Sequence, residues 1–149
     1  MPESYTAVTW ATEDLITITK LNRMCGNSDY FNERYGALLF SDQDAVSTGS
    51  TTYAELWHAQ FYLPAGVDAL TFKFEMNSSN NSTVTSIKYK VETTETTEET
   101  TTSSTYTLKT LTLSMAAYSA GVKDLYCYGK IASGGTLCGL RNTAMVVSP

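Results

Sequence analysis

From Gly36 to the end of the chain the apolar residues recur at every second position, and this alternation limits the fold more than any other feature of the sequence. Ala69 to Met76 shows it most cleanly: Leu70, Phe72, Phe74 and Met76 point one way and Thr71, Lys73 and Glu75 the other. A period of two is that of a pleated strand with one buried and one wet face. The same pattern runs through Thr83 to Val91 (Thr85, Ile87, Tyr89, Val91), Tyr106 to Met115 (Leu111, Leu113, Met115) and Val122 to Ile131. Gly36 to Ser41 adds a first strand, and Thr136 to Val147 a last strand or a pair of short strands. Pro64-Ala65-Gly66, Asn77 to Ser82 and Ser133-Gly134-Gly135 carry turn chemistry between them. Seven or eight strands spaced by turns predict an all-β fold, an antiparallel β-sandwich of jelly-roll type.

Two stretches resist the simple pattern. In Thr51 to Leu63, Glu55 shares parity with Trp57, so the strand is either bulged or begins at Leu56. Glu92 to Thr105 contains almost only Thr, Glu and Ser. Such a segment buries no core, and its β-branched threonines favour extended backbone, so it is expected as a protruding hairpin tip or mobile loop. Asp42 to Ser50 reads as a polar turn region.

Ahead of the β body, Trp10 to Tyr35 switches to helical spacing. Thr17 is placed to cap the first turn, and Leu21, Met24, Ser28, Phe31 and Tyr35 alternate by three and four. Gly26 and the turn sequence Asn27-Ser28-Asp29 leave two readings, one helix broken at Gly26 or a short one ending at Cys25. The domain division expected is therefore 1–35 as an arm with one short helix and 36–149 as the sandwich.

Trp10, Asp14, Ile16-Thr17 and Lys20-Leu21-Asn22 resemble the tryptophan and D-x-I-T-x-x-K-L-N opening of small bacteriophage virion proteins, including head fibres, tail fibres and baseplate components. Glu13 and Ile18-Thr19 depart from that pattern, which has a glycine and an acidic helix start. The resemblance implies an oligomerising, often trimeric, segment. Trp10, Leu15, Ile16, Ile18, Leu21 and Met24 would then form the assembly interface, with sister copies and major capsid or tail proteins as partners. The other reading is an arm that covers one edge of its own sheet. The order from Trp57 to Val147 is similar to β-sandwich modules of phage appendages and to carbohydrate-binding modules. The features concerned are the LPAG turn between Phe61 and Phe74, Y-T-L-K-T-L-T-L at Tyr106 to Leu113, A-G-V-K-D-L at Ala120 to Leu125, and L-R-N-T-A-M-V at Leu140 to Val146.

Composition narrows the function. The net charge is -5 and the 10 Lys and Arg are scattered, so no basic face exists to neutralise a phosphate backbone, and nucleic acid is not an expected partner. No apolar run reaches the ~20 residues of a membrane span, and none near the start reads as a secretory signal. The expected location is the virion, after synthesis in a bacterial cytoplasm. Cys25, Cys127 and Cys138 lack metal spacing; Cys127 and Cys138 fall in neighbouring predicted strands and read as reduced, buried small residues. No cofactor is expected. His58, the single histidine, lacks the partners of a catalytic site. Paired carboxylates for glycoside hydrolysis would have to come from Glu55, Glu75, Asp68 or Asp124; Glu55 and Glu75 as cross-strand neighbours on a wet face fit that and fit an ordinary sheet surface equally, and Asp42 with Asp44 reads as a solvated loop rather than a calcium site. Neither enzyme nor metal site is predicted.

Ten tyrosines remain to be accounted for. Tyr126 and Tyr128 have a parity opposite to Leu125, Cys127 and Ile131 and so stand together outside the core. An aromatic pair on an outer face is suited to stack on sugar rings or to anchor an interface. Trp57, Tyr126 and Tyr128 are accordingly the candidate ligand-binding residues. The expected function is a non-enzymatic virion structural protein, a capsid decoration, head-fibre or small tail accessory protein; the alternative is a carbohydrate-binding module adhering to host or mucus glycans.

Overall fold

A computed structural model describes residues 38–133 and 136–148, and residues Leu38–Ser148 form one compact unit. The expected arm and helix, and with them Trp10, Leu15, Ile16, Ile18, Leu21, Met24 and Cys25, lie outside the described residues.

The described chain is all β, with no helix. β1 (Leu38–Asp42) and β2 (Val46–Thr48) both pair with β10 (Cys138–Val147), which then pairs with β4 (Ala69–Ser78) and β4 with β8 (Thr107–Ser114). The second sheet orders β3 (Ala54–Leu63), β9 (Gly121–Ile131) and β5 (Thr85–Val91), with β6 (Thr94–Glu95) and β7 (Glu99–Thr101) along the far edge of β5. All pairings are antiparallel. When β1 with β2 and β6 with β7 are each taken as one interrupted strand, the ten strands of the described residues become eight, ordered 1-8-3-6 and 2-7-4-5, which is the double Greek key of a jelly roll.

The alternation read from the sequence builds the core. Leu70, Phe72, Phe74 and Met76 of β4 are fully buried, as are Ile87, Tyr89 and Val91 of β5 and Leu125, Cys127 and Ile131 of β9. Tyr89 lies at the centre, stacked on Phe72 with ring centroids 4.4 Å apart and meeting Phe74 edge-on at 5.2 Å. Its hydroxyl reaches the Thr143 hydroxyl at 3.1 Å, so a phenol can be buried there without an unsatisfied polar atom. Cys127 and Cys138 are free thiols held in this core, one in each sheet, and burial pushes both pKa values up, that of Cys138 to about 11.

Three expectations change. Glu92 to Thr105 is no protruding tip: it folds back as β6 and β7, the broken edge strand of the second sheet, and Thr96 between them is buried, accepting the Tyr89 N–H at 3.0 Å. Alternating threonines suit such an edge, and three of the four glutamates of the segment meet lysines from other strands: Glu95 with Lys88, Glu98 with Lys130, and Glu99 with Lys109. The polar stretch after Asp42 contains β2. Glu55 and Glu75 lie in different sheets, so they are not cross-strand neighbours, and Glu75 is engaged by Arg141 at 2.6 Å.

Candidate functional site

The outer face of the β3–β9–β5 sheet is assembled by one irregularity. Between Glu55 and Trp57 the β3–β9 register shifts, so Leu56 is the extra residue of a bulge. After the bulge His58, Gln60 and Tyr62 point outward while Trp57, Phe61 and Leu63 point toward the core; before it Glu55 is paired with Tyr128 and shares the outer face with His58. Gly129 makes room for this arrangement. A Cβ there would lie 3.0 Å from Leu56 Cδ1 and 3.2 Å from Ile87 Cδ1, so the bare backbone of β9 is what admits the Leu56 side chain.

Cross-strand register then brings the outward side chains together in rows: Glu55, Tyr128 and Lys88; His58, Tyr126 and Lys90; Gln60 and Asp124; Tyr62 and Val122. The imidazole of His58 lies parallel to the Tyr126 ring at 4.4 Å and covers one of its faces. Tyr128 follows along β9 with its centroid 6.1 Å from that of Tyr126. On the β5 side the Lys90 ammonium stands 5.8 Å from the Tyr126 centroid and the Lys88 ammonium 5.9 Å from that of Tyr128, within reach of cation–π attraction. Lys88 and Lys130 each stand 4.4 Å from the Tyr53 centroid, and the Tyr53 hydroxyl donates to Glu98. Lys90 has no carboxylate partner among the described residues.

These contacts set the charge states. Asp124 accepts from Gln60 Nε2 at 2.9 Å and sits 3.2 Å from His58 Nε2; both contacts hold its carboxyl below the ordinary range, so it is an anion and an acceptor at neutral pH. Its backbone is tied to Glu92, whose carboxylate accepts the Asp124 N–H at 2.9 Å. Desolvation raises the pKa values of Tyr126 and Tyr128, and the carboxylates around them add to the shift, so both phenols keep their protons and can donate as well as accept hydrogen bonds. Tyr53 is raised likewise by burial and by Glu98. The face thus offers aromatic rings held in place by their neighbours, with neutral hydroxyls, an amide, a carboxylate and the Lys90 ammonium around them.

Of the residues singled out in the sequence, Tyr126 and Tyr128 are brought together on this face. Trp57 is on the other side of the sheet, against Phe40 at 5.3 Å and Tyr89 at 6.0 Å, because the bulge separates it from Glu55. His58, Gln60, Asp124, Lys90 and Tyr53 were not linked to the pair by the sequence, since only cross-strand register joins them. Among the described residues no group of three or more His, Cys, Asp or Glu could hold a metal ion, and no helix is long and apolar enough to cross a membrane.

No family model matches the chain, and no curated protein matches its sequence. Among solved structures it is similar to the CBM36-1 domain of a multidomain xylanase from the hindgut metagenome of Trinervitermes trinervoides, at 9% identity and a TM-score of 0.48 over 72% of this chain and 99% of that one. It is also similar to a carbohydrate binding module, CBM6cm-2, from Cellvibrio mixtus lichenase 5A in complex with cellotriose, at 12% identity and a TM-score of 0.46 over 76% of this chain and all of that one. At this distance neither likeness carries an assignment; the jelly roll rests on the strand order given above.

Proposed function

We propose that this β-sandwich is a non-catalytic carbohydrate-binding module that takes glycans on the outer face of the β3–β9–β5 sheet. The observation that carries the reading is the Tyr126–Tyr128 pair, half-exposed on the outer sheet face and framed by His58, Gln60, Asp124 and Lys90. Jelly rolls serve viral shells and lectins alike, so the argument has to come from the site. A sugar presents C–H faces bordered by hydroxyls, and this face sets aromatic carbon beside hydrogen-bonding groups of both kinds. The rings are already braced by the His58 stack and the two lysines, so little side-chain freedom is lost on binding.

The test is a glycan array with the full chain, followed by calorimetry on the binders. Tyr126→Ala and Tyr128→Ala should each weaken binding about tenfold, the equivalent of ~1.4 kcal/mol, while the protein stays folded and its urea stability falls by no more than the ~0.5–1.5 kcal/mol of the lost ring contacts. Binding unchanged in both variants, or an array with no binder, overturns the reading.

The Trp10 to Asn22 resemblance supports a statement of where such a module is carried: a virion, docked through Trp10, Leu15, Ile16, Ile18, Leu21 and Met24 as a trimer, with the sandwich displayed outward. Native mass spectrometry of the full chain should give a trimer that Leu21→Asp reduces to a monomer. A monomeric parent chain overturns this part and leaves the glycan reading intact.

A further inference from the structure

The aromatic pair is one end of a longer file. Following β9 away from Tyr128, the outer face passes Tyr126 with His58, then Asp124 with Gln60, and ends on Val122 with Tyr62 directly opposite it. Tyr62 is 62% exposed and Val122 63%. Single exposed apolar side chains are ordinary on a protein surface, but these two face each other across the strands, in line with the candidate site. From Val122 to Tyr128 is six residues of strand, about 20 Å at the usual rise. The stations along it alternate in chemistry: an apolar pair, a hydrogen-bonded amide and carboxylate, then aromatic rings.

Across the strands the face is filled differently. Toward β5 it is occupied by the Lys88–Glu95 ion pair at 2.6 Å and by the Tyr53, Glu98 and Lys130 group. Along β3 the outward side chains Glu55, His58, Gln60 and Tyr62 are all exposed. A pyranose is about the size of a phenol ring, so one sugar engages one station, and only a chain of several sugars reaches from Tyr128 to Tyr62.

Resting on the glycan-binding reading, we infer that the ligand is an extended linear oligosaccharide laid along β3 and β9, with Tyr62 and Val122 as its distal subsite. Gln60 and the Asp124 carboxylate bind hydroxyls of the sugars between the two apolar ends. The Tyr126 end binds the short chains, and Tyr62 adds affinity only when the chain is long enough to arrive there.

The experiment is calorimetry of the full chain with β-1,4-linked gluco-, xylo- and manno-oligosaccharides of one to six units, for the parent and for Tyr62→Ala. The expected result is an affinity that rises with length up to about the number of sugars that spans the file. Tyr62→Ala should lose about 3- to 10-fold on the six-unit chain, as one aromatic contact is worth, and nothing on the two-unit chain. Affinity that does not depend on length, or a Tyr62→Ala loss equal at all lengths, overturns the inference while the glycan reading stands. Failure of all three series to bind also overturns it, and the array then decides whether the glycan reading falls as well.

Discussion

The Leu56 bulge and Gly129 act as one unit, and their coupling can be measured. Leu56 is half-buried and packs into the space left by Gly129. Leu56→Ala removes three carbons from that space and should cost about 1–2 kcal/mol, less than a fully buried leucine would. Gly129→Ala places a methyl 3.0 Å from Leu56 Cδ1 and 3.2 Å from Ile87 Cδ1, where carbons ordinarily rest ~3.5–4.0 Å apart. Overpacking of this kind costs ~1–3 kcal/mol, offset by ~0.4–1 kcal/mol from the stiffer unfolded chain, for a net loss of about 1–2 kcal/mol. In the double variant the clashing Leu56 methyl is gone and the new methyl occupies part of its cavity. The loss in the double variant should then fall short of the sum of the two single losses by about 1 kcal/mol, since the contact with Ile87 persists. Urea denaturation followed by circular dichroism on the four proteins gives the cycle. Additivity within ~0.3 kcal/mol would refute the claim that Gly129 exists to seat the bulge.

Gly139→Ala should destabilise by about 1–3 kcal/mol, because the new Cβ lies 2.2 Å from Asn77 Oδ1 and evicts the side chain whose Nδ2 donates to Ser104 O; pairing it with Asn77→Ser should recover part of the loss in the same urea assay. Glu75, Glu98 and Asp124 are held below their ordinary values of 4.5, 4.5 and 3.8, by Arg141 with Asn142, by Tyr53 with Lys130, and by Gln60 with His58. The stability they supply is present in full above those values and is lost as pH falls through the lower folded ones, so urea midpoints should hold from neutral pH to about 5 and then decline, less steeply in the Glu75→Gln, Glu98→Gln, Asp124→Asn variant. In a Cys25→Ser background, Cys127 and Cys138 should resist alkylation at mildly alkaline pH until denaturant is added, since burial keeps both thiols protonated; rapid labelling of the folded protein would contradict their placement.

Much of this fold could be read from residue order alone. The strict alternation of β4 and β5 names the buried face because a pleat has no other way to place every second side chain, and the observed strands begin and end within a few residues of the expected ones. The outward stance of Tyr126 and Tyr128 follows from the same parity and needs no knowledge of their neighbours. What parity cannot supply is the partner strand. Glu92 to Thr105 looks like a loop because nothing within it calls for burial; it becomes an edge only because β5 offers open hydrogen-bonding groups and the strand lysines offer charge. Trp57 and Glu55 share parity in the sequence and lie on opposite faces in the protein, because one residue, Leu56, is spent on the bulge. His58 is an unremarkable polar residue of β3 until the register with β9 lays it over Tyr126. Local chemistry thus determined which side chains face outward, and long-range register, which no local signal encodes, decided which of them meet.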